Sequence, residues 1–332
     1  MRAMQLTKLT ALLRKREWIV GALGLFILML AACTTIKDET IVADHLKAGE
    51  TFQWGMDENG ITKLPAMELP QSSALSEESK KAQLLGTEYW HEWFRIRDQL
   101  CPKSLLDATK EELPAIRQCR MQAFKTTRWY KAAMTRYPVD IVEKSIGGIV
   151  TDIYTPKAGV KEQNNQRVLM HLHGGGHFLG NRWLGNVTAS AIAASAGIKV
   201  ISVDYRQWPE AIHPAAMEDV VAVYTQLLSE YRAENIGIYG CSAGGYWSAQ
   251  SIPWIARSGL PRPGAIGVFG VGFGAKGTDT RFTGMPHHGL PTPDVEQLKQ
   301  GEPEGYFQEG DVNDPYLMPG DFPEVLAKYP PT

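Results

Sequence analysis

Gly240-Cys241-Ser242-Ala243-Gly244 sets one hydroxyl between two glycines, with the apolar run IGIYG before it and the small-residue run AGGYWSAQ after it. A serine hydroxyl is a poor nucleophile until a base takes its proton. A tight strand-to-helix turn would lift that hydroxyl above a sheet edge and force the serine backbone into strained φ/ψ. Gly240 and Gly244 would remove the flanking side chains that clash there. At a helix N-terminus, free N–H groups and the helix dipole favour developing negative charge, and the Ala243 N–H would point toward an oxyanion. Upstream, His173-Gly174-Gly175-Gly176 follows the apolar run RVLMHL. Glycines there let the backbone approach a ligand closely and expose N–H donors. Either pattern alone recurs by chance. Both together, each after a strand and separated by one βα unit, predict acyl-transfer chemistry.

The elements that must hold these groups are legible in the periodicity. DIVEKSIGGIVTDIYTP reads as a hairpin turning at Gly147-Gly148. RVLMHLH, KVISVDY, IGIYG and AIGVF read as four strands, alternating with helical stretches at NVTASAIAASAG, HPAAMEDVVAVYTQLLSEY and AGGYWSAQSIPWIARSG. Met217, Val220, Val221, Tyr224, Leu228 and Tyr231 share one face of the second helix. Alternation of this kind predicts an α/β fold with a mostly parallel sheet covered by helices on both faces. Residues 83–136 read as a helical cap, with Trp90, Trp93, Phe94 and Arg97 on one stripe and helix starts marked by Pro102 and Pro114. Residues 270–314 form a long, Gly- and Pro-rich stretch of weak periodicity. The expected order is a signal peptide over 1–32, a tether and lead-in over 33–82, the cap over 83–136 and the α/β core over 137–332.

HGGGHF, VDYRQWPEAIHPAAMEDV, GCSAGG and GLPRPGAI, taken together, resemble the hormone-sensitive-lipase-like esterases of the α/β-hydrolase fold, from about residue 139 onward. The resemblance implies that Ser242 is the nucleophile and that Gly174, Gly175, Gly176 and Ala243 supply an oxyanion hole. It implies an acyl-enzyme mechanism on short- to medium-chain acyl esters, with no metal and no organic cofactor. Asp204, Tyr205, Arg206, Pro209, Glu210, Pro214 and Asp219 match a signature that is mainly structural, and Trp208 stands where the family usually has a smaller residue.

The family order is Ser, then Asp or Glu, then His. DPYLMPGDFPEVLAKYPPT resembles the segment before the acid-bearing strand. The resemblance therefore implies that the acid and the histidine lie beyond Thr332. The expectation is that the core is incomplete, that the last two strands are missing, and that the chain as it stands turns over little or no ester. AIGVF would then be an exposed apolar sheet edge. Of the eight histidines, His45 and His91 fall in the lead-in and cap, His171 in a strand, His173 and His177 around the glycine loop, and His213 at a helix start. Only His287 and His288 follow Ser242, within the long loop, where a solvated pair is the expected reading. Asp311, Asp314 and Asp321 read as turn residues. A non-catalytic lipoprotein that binds a ligand or partner through a degenerate pocket is the alternative.

Arg2, Lys8, Arg14, Lys15 and Arg16 precede an uncharged apolar run, Trp18 to Ala32. That run is shorter than the ~20 residues of a spanning helix, which favours a cleaved signal peptide. Leu30-Ala31-Ala32-Cys33 resembles the lipobox of bacterial lipoproteins, where the cysteine is lipidated. An ordinary signal peptide or an uncleaved anchor is the alternative. By that resemblance the protein is exported and lipid-anchored at Cys33 to a membrane facing the periplasm, and Thr34 after the cysteine points to the outer membrane. Export would place Cys101 and Cys119 in an oxidising compartment, where a disulfide between two helices is expected and free thiols are the alternative. Cys241 is expected to be a buried packing residue. With 34 Lys+Arg against 36 Asp+Glu and no long block of one sign, nucleic-acid binding has no electrostatic support. No oligomeric state is assigned.

Overall fold

Three short central strands carry apolar side chains on both faces, and that requirement organises the molecule. The computed structural model describes residues 55–56, 62–63, 72–103, 108–180, 182–273, 305–311 and 313–332. A six-stranded sheet comprises β1 (Val139–Ile146), β2 (Ile149–Pro156), β3 (Val168–Leu172), β4 (Lys199–Val203), β5 (Ile236–Cys241) and β6 (Ala265–Phe269), in the order β1-β2-β4-β3-β5-β6. β1, β2 and β4 run antiparallel to their neighbours in turn, while β4, β3, β5 and β6 are mutually parallel. The β1–β2 hairpin turns at Gly147 and Gly148, with φ 59° and 84°. Positive φ at both central residues is what a tight hairpin of matching twist demands.

One sheet face presents Val168, Met170, Leu172, Ile201, Val203, Ile236 and Ile238 to helices α5 (Ala215–Leu227) and α6 (Ala243–Arg257). The other presents Tyr154 and Val200 to Ala189 and Ala193 of α4 (Arg182–Ala196). Residues adjacent in a strand thus go to opposite layers, the period-2 rule for a strand buried on both sides. Each large side chain so buried stabilises the fold by about 1.5–3 kcal/mol. On α5, Val223 and Leu227 join Met217, Val220 and Tyr224 in the core, whereas Val221, and Leu228 and Tyr231 beyond the helix end, are only partly buried.

Among the described residues, three cap helices precede the sheet: α1 (Glu77–Leu100), α2 (Leu113–Thr126) and α3 (Arg128–Arg136). α1 begins six residues before the expected cap boundary, because the Ser76 side chain accepts from the Ser79 N–H and caps it. Pro102 follows the end of α1, and residues 104–107 after it lie outside the described residues, while Pro114 sits in the first turn of α2 as expected. Trp93, Phe124 and Trp129 form an aromatic cluster that reaches Trp183 and Val187 of α4 and seats the cap on the core. Arg97 lies 4.7 Å over the Phe94 ring. Cys101 and Cys119 are joined in a disulfide with a Cα–Cα distance of 5.9 Å, tying the end of α1 to α2.

After residues 274–304, which include His287 and His288 and lie outside the described residues, the chain returns along α6. The Leu317 carbonyl accepts from Tyr246 Oη at 2.5 Å and Gln250 Nε2 at 2.8 Å, and Trp254 Nε1 donates to the Tyr316 carbonyl at 3.0 Å. Asp311 and Asp314 accept from the backbone N–H two residues on, as turn residues do. The apolar edge of β6 is partly occupied: the Ile266 N–H donates to the Pro331 carbonyl at 2.9 Å, although Phe269 stays 42% exposed. Residues 1–33 lie outside the described residues. Among the described residues no helix is long and apolar enough to cross a membrane.

Candidate active site

Ser242 stands between the end of β5 and the start of α6 with φ 55° and ψ −127°, a conformation that L side chains rarely adopt. Its N–H donates to the Phe269 carbonyl at 2.9 Å, and its own carbonyl accepts from the Tyr246 N–H at 3.1 Å, so the strained bend is held from both sides. The flanking glycines are steric requirements. A Cβ on Gly244 would fall 1.9 Å from the Leu172 carbonyl oxygen, and one on Gly240 would fall 2.3 Å from Gly244. Ala243, Gly244 and Gly245 open α6, where the first-turn N–H groups have no intrahelical acceptor. Cys241 is partly exposed rather than buried, although it still pairs with Phe269 of β6 at the end of β5.

The glycine loop meets this bend directly. A Cβ on Gly174 would lie 3.4 Å from the Ser242 Cβ and 2.8 Å from the Cys241 carbonyl oxygen. Gly175, at φ 120°, and Gly176, at φ 62°, make the turn, and a Cβ on Gly175 would overlap Gly180. The loop carbonyls are bound elsewhere. His173 O accepts from Tyr205 Oη, Gly175 O from the Leu179 N–H at 2.8 Å, His177 O from the Trp208 N–H at 3.1 Å, and Gly180 O from Gln207 Nε2. Among the described residues, the N–H groups of Gly174, Gly175 and Gly176 meet no acceptor. Carbonyls tied back and amides left over beside a hydroxyl make a site for an oxygen atom that gains negative charge.

Burial lowers the pKa of every histidine near this site. Burial pushes His173 down to about 4, against a smaller opposing effect of its bond to the Gly174 carbonyl. Its Nδ1 meets that carbonyl at 2.9 Å, which assigns the ring proton to Nδ1, and the ring stacks on Tyr205 at 4.2 Å. His171 is lowered to about 3 by burial on the α4 side, between Ser202 Oγ at 2.8 Å and Thr188 Oγ1 at 2.9 Å. His177 is lowered to about 4 by burial against Trp247, Phe307 and Tyr246. His213 packs against Trp254, Tyr306 and Phe307 just before α5, which starts two residues later at Ala215.

Residues 169–332 match the family described as alpha/beta hydrolase fold. The chain has the α/β-hydrolase fold. The chain is similar to the acetyl esterase of Salmonella paratyphi B, 34% identical over 120 residues, and to that of Salmonella typhi, 34% identical over 119 residues. Those matches cover 35% and 34% of this chain and 36% and 35% of the relatives, so the chain spans about a third of the length of the curated relatives it matches. Among solved structures, esterase E25 superposes with a TM-score of 0.58 at 22% identity, covering 79% of this chain and 76% of that one. An esterase from the bacterial hormone-sensitive lipase family superposes with a TM-score of 0.52, again at 22% identity, covering 72% and 76%.

Within this α/β-hydrolase fold the structure adds a group that sequence reasoning missed. Arg117 of α2 is buried and donates to Phe178 O at 2.9 and 2.7 Å, to Trp208 O at 2.9 Å and to Glu210 at 2.7 and 3.2 Å. Burial alone would raise the Glu210 carboxyl, but the Arg117 hydrogen bonds hold it below its ordinary value. Arg117 and Gln118 also line a cleft of about 380 Å³ with Asp204, Tyr205, Arg206 and Glu210. In the sequence Arg117 is one of two arginines on α2, both buried, and what distinguishes it is its set of hydrogen bonds to Phe178, Trp208 and Glu210. Arg206 pairs with the buried Asp219 through its backbone N–H at 2.8 Å and its Nε at 2.9 Å, which accounts for the structural character of that signature.

Proposed function

We propose that this chain is a serine carboxylic-ester hydrolase with Ser242 as its nucleophile. Ser242 Oγ attacks the carbonyl of a short- to medium-chain acyl ester, the alcohol leaves, and water releases the acid from the acyl-enzyme. The N–H groups of Gly174, Gly175, Gly176 and Ala243 stabilise the oxyanion, each such donor being worth about 2.7–4 kcal/mol in the transition state. The supporting observation is the approach of Gly174 to Ser242 at a serine held with φ 55°. The names of the acetyl esterase relatives agree with this substrate class. No metal or organic cofactor is required. Labelling with a fluorophosphonate probe tests the reading: a label that disappears in Ser242→Ala supports it, and a folded wild-type chain that takes no label removes it.

One observation favours the second reading, a non-catalytic protein that binds a ligand or partner in a hydrolase pocket. Burial lowers His171, His173, His177 and His213 below the ordinary imidazole value and each packs against neighbouring side chains, so none of these four is offered as the general base. Ester turnover by this chain therefore needs a general base outside these four histidines. Labelling without turnover fits a competent nucleophile whose base is not among these four.

We also infer export and attachment to a membrane through lipid on Cys33, with the catalytic domain facing the periplasm. The basic and apolar leader and the Leu30-Ala31-Ala32-Cys33 sequence support this. A bonded Cys101–Cys119 pair is consistent with an oxidising compartment.

A further inference from the structure

We infer that Arg117, a residue of the cap, is the positioning residue of the glycine loop: its guanidinium sets where the Gly174–Gly176 amides stand relative to Ser242. The inference deepens the ester-hydrolase reading and rests on it. Arg117 is not a catalytic residue, because it acts through the loop backbone.

The connection runs through two peptide planes. Arg117 Nε and Nη2 hold the Phe178 carbonyl at 2.9 and 2.7 Å. That carbonyl shares its plane with the Leu179 N–H, which donates to the Gly175 carbonyl at 2.8 Å. The Gly175 carbonyl in turn shares its plane with the Gly176 N–H. In a trans peptide the C=O and N–H point in opposite directions. Fixing the Phe178 carbonyl therefore fixes the direction of an amide offered to the oxyanion. The same guanidinium holds Trp208 O at 2.9 Å, and the Trp208 N–H donates to His177 O at 3.1 Å, closing the loop from its other side.

A planar fork is needed for this. Arg117 serves two carbonyls and one carboxylate from one rigid group, which a lysine ammonium cannot reproduce. Burying a guanidinium is costly unless every donor is paired, and Glu210 supplies the countercharge at 2.7 Å. α2 is itself anchored by the Cys101–Cys119 disulfide, two residues beyond Arg117, and by Phe124 in the aromatic cluster. The cap thus reaches the loop through a side chain whose backbone is stapled in place.

The test uses the full chain with Arg117→Met and Arg117→Lys, and reads two quantities. The first is amide hydrogen exchange over residues 174–180. The second is fluorophosphonate labelling of Ser242, resolved into probe affinity and the maximal labelling rate. In Arg117→Met, exchange is expected to rise within 174–180 while β3–β5 stay protected. The maximal rate is expected to fall by roughly 10- to 100-fold at nearly unchanged affinity, the size of a misplacement of about 1 Å. Arg117→Lys should recover part of that rate, and it carries the test if the Met variant does not fold. Unchanged exchange in the loop overturns the inference. So does an unchanged maximal rate, or a rise in exchange spread evenly over cap and core, which would make Arg117 a general stabiliser. If folded wild-type chain takes no label, the hydrolase reading fails, and loop exchange alone decides whether Arg117 positions these amides.

Discussion

Gly174 lies against Ser242, so closely that a methyl group at residue 174 would stand 3.4 Å from the Ser242 Cβ and 2.8 Å from the Cys241 carbonyl oxygen. The backbone oxygen cannot yield as a flexible side chain would, so Gly174→Ala must displace the loop. Labelling of Ser242 is expected to fall by about 10- to 100-fold, with a stability loss of about 1–3 kcal/mol from overpacking. Labelling within a factor of two of wild type would show that the approach does not matter.

Strain at Ser242 makes a separate prediction, on stability alone. At φ 55° a non-glycine residue costs about 1–3 kcal/mol, and glycine escapes most of that at an entropic cost of about 0.5–1 kcal/mol. Ser242→Gly should therefore be more stable than Ser242→Ala by up to about 2 kcal/mol in urea unfolding, with both variants unlabelled. A more stable Ala variant would refute the strained geometry.

Acid should destabilise the protein through its buried histidines. His171, His173 and His177 are lowered to about 3, 4 and 4, so between pH 6.5 and 4 the unfolded chain binds protons that the folded chain does not. Stability therefore falls as pH drops through that window, by on the order of 2 kcal/mol per imidazole at pH 5. Asp204 opposes this in part, because burial raises it to about 6 and it gains a proton on folding over the same range. His177→Phe removes one imidazole from an aromatic surround and should flatten the pH dependence of the urea midpoint. An unchanged slope would mean that His177 is protonated in the fold.

Reduction should act on the cap before the sheet. The Cys101–Cys119 bridge closes a loop with a sequence separation of 18, worth about 3 kcal/mol in chain entropy. Dithiothreitol is expected to speed proteolysis within 77–126 and to expose two alkylatable thiols, while residues 139–269 stay resistant. Alkylation of both thiols without reductant would disprove the bridge.

Lipid attachment has a direct assay. Cells expressing the chain should incorporate labelled palmitate into it, and Cys33→Ala should abolish incorporation and release the protein from the membrane fraction. Equal incorporation in the variant would discard Cys33 as the acceptor.

The sequence by itself determined the layer order, because strand and helix periods differ and alternate from Val139 to Phe269, and because Gly147-Gly148 admits a hairpin turn that few other pairs allow. It also determined the bend at Ser242: Gly240 and Gly244 have no room for a Cβ, so the spacing of glycines around Ser242 is a steric record readable without coordinates. Cap boundaries were less legible. Pro102 ends a helix as well as it could begin one, and Ser76 caps α1 ahead of the aromatic stripe. Only the tertiary structure decided which charged residue reaches the loop. Arg117 is far in the chain from Phe178, Trp208 and Glu210, and their hydrogen bonds exist only once α2 packs over the core. It likewise decided which histidines are neutral, since burial is a property of the assembled layers and not of any local pattern.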